Sequence, residues 1–109
     1  MAWKARIELR RTEDGGRHFP RGAVFWCPVQ FPHEHQLHDA RFRVIGKELV
    51  QPGEGADVLM DFLAPHTFEH PATVGDEFEI WEGPHLTAGK GVLLAFVDGP
   101  DKAPGREPT

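Results

Sequence analysis

Polar and apolar side chains alternate with a period of two along most of this chain, the repeat of a strand that buries one face. In "ARIELRR" the residues Ala5, Ile7 and Leu9 fall on one side, and Arg6, Glu8 and Arg10 fall on the other. The stretch "AVFWCPVQF", residues 23–31, is rich in aromatic and β-branched residues, but Pro28 has no N–H to give a ladder and predicts an edge or a bulge. "ARFRVIGKELV" begins with the same alternation at Phe42 and Val44, and Gly46 predicts a bulge that shifts the phase toward Leu49. A fourth strand is expected over "ADVLMDFL", apolar on both faces at Leu59, Met60, Phe62 and Leu63. "DEFEIWEG" turns Phe78 and Ile80 inward, and "GKGVLLAFV" is a nearly continuous apolar run. These are six strands, and no segment carries the 3.6-residue repeat of a convincing helix.

Glycine and proline fall between the runs where turns need them, in "EDGG", "QPGEG" and "EGPHLTAGKG". Strands so spaced, with no crossover helices, imply an antiparallel barrel or sandwich. Six strands in about one hundred residues suit a small closed barrel, which also removes exposed sheet edges. The expected domain is a single barrel over residues 1–98, followed at 99–109 by a disordered tail whose largest apolar side chains are alanine and proline.

Composition narrows the classes of function. The 109 residues suffice for one hydrophobic core, and no apolar run approaches the length of a membrane-spanning helix. The opening "MAWKARIELR" lacks the apolar centre of a signal peptide, so a soluble cytoplasmic protein with no membrane partner is expected. The one cysteine, Cys27, has no second cysteine for an internal disulfide. The net charge of −5 is unevenly spread. Lys4, Arg6, Arg10, Arg11, Arg17 and Arg21 crowd the first 21 residues, whereas the interval from Glu48 to Gly89 holds nine carboxylates and neither Lys nor Arg. A phosphate backbone would be repelled by the middle and welcomed at the N-terminal end; alternating charges also simply mark solvated strand faces.

The order "GGRH", then "VQPGEGADVLMDFLAP", then "VGDEFEIWEG", then "TAGKGVLLAFV" resembles the third, C-terminal domain of bacterial elongation factor Tu over residues 3–98. The resemblance implies an all-β fold, a closed six-stranded antiparallel barrel of Greek-key type. In the parent factor this domain packs on the other two domains, touches the T stem of aminoacyl-tRNA and contributes to the exchange-factor contact. The resemblance therefore implies a non-catalytic, translation-related binding module whose partner is a protein or tRNA. GTP hydrolysis belongs to a domain with no counterpart here. The local sequence agrees, because "AGKG" at 88–91 would need Gly in place of Pro84 and Ser or Thr in place of Gly91 to make a phosphate loop, so no nucleotide is expected. Arg17 and His18 fall on the family's Arg-His pair, which approaches the tRNA backbone. With Gly15, Gly16 and Arg21 they form the candidate partner-binding turn, an Arg fork beside a backbone that can come close. The same turn is also read as a plain glycine hairpin. The chain departs from the family at Ala64, often a basic position there, and at Gly83-Pro84, where the family has two glycines.

A different class of function is suggested by "PHEHQLH". His33 and His35 would share a face if this segment is extended, and with His38 they could hold zinc or another divalent transition metal. The metalloprotease pattern fails because Leu37 stands where its second histidine belongs. His66 and His70 would join only if their loop folds back. A histidine-rich surface loop is the simpler reading, and it requires no cofactor. Cys27, between Trp26 and Pro28 in an apolar strand, reads as an inert small hydrophobe, and Glu77 and Glu79 as solubilising outward carboxylates, so enzymatic activity is not expected.

Overall fold

The fold is that of a computed structural model whose described residues are 2–14, 21–82 and 86–97. Its strands are β1 (Ala2–Leu9), β2 (Arg21–Gly22), β3 (Val24–Gln30), β4 (His38–Val44), β5 (Leu49–Val50), β6 (Gly55–Phe62), β7 (Glu77–Glu82) and β8 (Leu86–Val97). Helical structure among the described residues is confined to two 3-10 turns, Thr12–Asp14 and Pro65–Thr67. Six strands close an antiparallel barrel in the order β1-β6-β4-β3-β7-β8, with β8 returning to β1, and β2 and β5 form a separate two-stranded sheet. Among the barrel strands the neighbours β3, β4 and β6 are consecutive, and β1 lies beside β6 after a long connection to β3, which is a Greek key.

The alternation along β1 holds in space: Ala5, Ile7 and Leu9 are buried, and Arg6, Glu8 and Arg10 are exposed. Phe78 and Ile80 of β7 point inward beside them, with Val58 and Met60 of β6 and Leu93 of β8. Inward-facing Gly91 pairs with both Ile7 and Phe78, and a Cβ there would stand 2.4 Å from Cζ of Phe78. Absence of a side chain at 91 is what seats the Phe78 ring.

Three strand expectations change. The segment 40–50 is not one bulged strand: β4 stops at Val44, and Gly46 adopts φ 79° in a turn that sends Leu49 and Val50 to pair with β2. Here the left-handed residue lies in the turn that follows the last β4 pair, Val44 with Val58. Pro28 lies inside β3, where it is opposite Asp39 of β4, and pairing with β7 begins only at Val29. The proline therefore sits where β3 has a ladder partner on one side, in agreement with its missing donor. In the fourth strand Leu59 and Met60 are both buried, but Leu63 lies beyond the end of β6 and is 64% exposed. The expected tail at 99–109 lies outside the described residues.

Candidate functional site

The histidine-rich segment lies at the barrel mouth where β3 turns into β4, together with the connection from β6 to β7. It is not extended, because the Glu34 N–H donates to Phe31 O at 3.0 Å and closes a turn. That turn sends the three histidines to three different carboxylates. His38, the first residue of β4, continues the inward phase of Ala40, Phe42 and Val44 and is buried. Its Nε2 is 2.8 Å from Glu34 Oε1, and its ring stacks on Phe68 with centroids 3.8 Å apart. His35 points outward, with Nδ1 2.9 Å from Glu69. His33 faces Asp76, with Nε2 and Oδ2 4.0 Å apart. The structure thus separates His33, His35 and His38, and no three His, Cys, Asp or Glu side chains among the described residues converge on a common metal position.

Glu34 lies in the segment expected to be a solvated surface loop. Its carboxylate is buried, yet it accepts the N–H of Glu69 at 2.9 Å, the N–H of His70 at 2.9 Å and the His38 ring. Burial alone pushes this carboxyl up; the Glu69 N–H, the His38 ring and the His70 N–H outweigh it and hold the carboxyl at about 2. The ionised form therefore persists inside the protein, and His38 Nε2 carries the proton between them. The Thr67 hydroxyl, which donates to Ala64 O at 2.7 Å, lies 3.3 Å from His38 Nδ1. At the surface, the hydrogen bond and charge of Glu69 raise His35, and the bonds from His35 lower Glu69. Phe31 is fully buried, and the rings of Phe62, Phe68 and Phe78 surround it at 5.9, 5.7 and 5.5 Å between centroids. This mouth is a plug fastened by one carboxylate.

The opposite mouth carries the N-terminal cations. Where β1 leaves the barrel, a groove of about 780 Å³ is lined by Arg6, Arg10, Arg11 and Lys90, with Glu8, Asp14 and Glu79 among them. Four cations and three carboxylates thus meet here, in a chain of net charge −5. Its ion pairs are exposed: Arg11 Nε to Asp14 Oδ2 at 2.9 Å and Lys90 Nζ to Glu8 Oε1 at 3.9 Å. Arg6 reaches Asp57 at 3.4 Å, and Arg10 donates to the carbonyl of Thr87 at 3.4 Å. Exposed pairs of this type hold their partners weakly and can be exchanged for a phosphate. A second hollow of about 540 Å³ adjoins the groove along β7 and β8 and adds the exposed Glu77 to Glu79.

Of the expected partner-binding turn, Gly15, Gly16, Arg17 and His18 lie outside the described residues. Arg21 is in β2, with its backbone opposite Val50. Cys27 is buried in the core, as its apolar neighbours imply. Among the described residues no helix is long and apolar enough to cross a membrane. No protein-family model matches the chain.

Proposed function

We propose that this barrel is a non-catalytic binding module for a component of translation, and that its ligand is the phosphate backbone of a folded RNA of the tRNA class. The observation that carries the reading is the groove bearing Arg6, Arg10, Arg11 and Lys90 at the mouth that β1 leaves. Asp14, on its rim, is followed in sequence by Gly15, Gly16, Arg17 and His18, the last two at the positions that match the Arg-His pair of the elongation factor Tu domain. Arginine forks and a lysine suit phosphate oxygens and read no base sequence. The acidic face of β7 limits the footprint to one side of the barrel, so few phosphates are contacted and affinity is modest.

The test is fluorescence anisotropy with labelled tRNA and untagged protein over a salt series. The expected result is an affinity that falls steeply between about 50 and 200 mM salt, and a log–log slope that drops by about one unit in Arg10→Ala or Arg17→Ala. Binding that is absent at low salt, or that ignores both salt and the two variants, overturns the reading. Retention of a protein component of translation instead, with no RNA bound, moves the ligand to the other class.

A further inference from the structure

On the outer wall formed by β1, β6, β4 and β3, the outward residues line up in rows across the strands. One row is Lys4 of β1, Leu59 of β6, Arg43 of β4 and Val24 of β3, each directly opposite the next. The row beside it is Asp61, Arg41 and Trp26. Side chains directly opposite in antiparallel strands stand about 4.5–5.5 Å apart at Cβ, so the rows form one continuous surface. Trp26 dominates it. Phe25 and Cys27 on either side turn into the core, which sends the indole outward and leaves this residue 55% exposed. The Arg41 guanidinium lies over the ring, 6.0 Å from its centroid, and is anchored to Asp61 at 2.6 Å.

The charges around Trp26 are unequally paired. Asp61 is matched by Arg41 and Asp57 by Arg6. The side chains of Lys4 and Arg43, in contrast, have no ion-pair or hydrogen-bond partner among the described residues. Asp39, opposite Pro28, bounds the surface where β4 begins. An exposed indole beside cations that lack counterions is what single-stranded nucleic acid requires, a π-face for a base and positive charge for its phosphates. A base inside a duplex has no free face to offer, so the ligand is an unpaired nucleotide. Indole and arginine also anchor protein contacts. The unmatched cations favour a polyanion, as does continuity with the groove through Arg6, which lies two residues from Lys4 on the same face of β1.

We propose that Trp26 is a stacking platform for an unpaired base of the bound RNA, with Arg43 and Lys4 taking the phosphates beside it. With RNA as the ligand, on which this platform depends, the footprint extends from the groove across β1, β6, β4 and β3. That is about 14 Å along the wall at a strand spacing of about 4.8 Å. Every base has a π-face, so the contact tolerates any sequence but requires a nucleotide free of its partner strand.

The test uses the untagged full chain with a labelled, unstructured uridine oligonucleotide of about ten residues, and a blunt RNA duplex of the same length as the control. At low salt Trp26→Ala should weaken binding of the oligonucleotide about fivefold or more and leave the duplex unchanged, and Trp26→Phe should stay within about threefold of wild type. The oligonucleotide should quench the intrinsic fluorescence of wild type, and the quenching should vanish in Trp26→Phe although Trp3 and Trp81 remain. Arg43→Ala should lower the log–log salt slope by about one unit, whereas Trp26→Ala removes no charge and should leave it unchanged. Should Trp26→Ala fail to fold, the quenching in Trp26→Phe and the slope in Arg43→Ala decide. An oligonucleotide affinity that Trp26→Ala does not change, or quenching that persists in Trp26→Phe, overturns the platform. Salt-dependent tRNA binding that still weakens in Arg10→Ala would then leave the groove reading standing. Binding of the oligonucleotide that depends on Trp26, with tRNA binding indifferent to Arg10→Ala and Arg17→Ala, supports the platform and overturns the groove. A protein component of translation held through Trp26, with no oligonucleotide bound, overturns the platform in favour of a protein contact.

Discussion

Where β3 passes into β4 the barrel is closed by Phe31, Phe62, Phe68 and Phe78, with a buried carboxylate holding the crossing connection, whereas at the other mouth, which β1 leaves, exposed ion pairs and backbone turns serve. The bonds at the second mouth are Leu9 N–H to Glu54 O at 2.9 Å, Gly53 N–H to Leu9 O at 3.0 Å and Arg10 N–H to Ala88 O at 2.8 Å. Solvent screens the exposed ion pairs there, so those pairs set position with little energy. At the plug, water is excluded, and each group removed leaves either a void or an unsatisfied partner. One mouth buries its polar groups, and the other, above the core residues Leu9, Phe25, Val44 and Val50, presents charged side chains that can be given to a ligand.

The largest break in this contrast should come from Phe31→Ala, which empties the centre of the plug and is expected to cost about 3–5 kcal/mol in urea unfolding. Next is Glu34→Gln, which puts an NH2 group where a carboxylate oxygen accepts an N–H; a melting temperature lower by about 10 °C is expected. The same variant sharpens the comparison through pH. Glu34 is depressed from 4.5 to about 2, so the unfolded chain binds the extra proton between those values, and stability falls as pH drops through that window. Acid titration of wild type should show the fall, and Glu34→Gln should flatten it. Gly91→Ala, in the wall that both mouths share, pushes a methyl against Phe78 and is expected to cost about 1–3 kcal/mol in the same unfolding assay. Smallest is Arg11→Ala at the charged mouth, where the melting temperature should stay within about 2 °C of wild type because the pair it breaks is exposed.

Much of the barrel is legible because the strands are simple. Ala5, Ile7 and Leu9, like Phe78 and Ile80, state their buried face by alternation, and the turns announce themselves through glycine and proline. The break at Gly46 is less visible, because a glycine in a strand-like run permits either a bulge within the strand or a turn that ends it, and long-range pairing of Leu49 and Val50 with β2 decides between them. The plug is hidden for a different reason. Its polar pair sits in the motif that looks most like a solvated loop, and the partners of Glu34 are backbone N–H groups at Glu69 and His70, which no side-chain pattern encodes. One signal does exist: His38 is in phase with Ala40, Phe42 and Val44, so the inward face of β4 extends back to it. The cationic groove follows the charge crowding of the first strand, but the part played by Lys90 requires the pairing of β8 with β1.

That pairing also governs how the chain comes to be folded. During synthesis β1 emerges first and gains β6 on one edge, while its other edge must wait for β8, which lies at the far end of the barrel sequence. Until then a row of backbone groups in a half-apolar strand is open to any strand that passes, and contact between such distant segments forms slowly. Until β8 arrives, that open edge leaves the chain exposed to misassembly with its own copies.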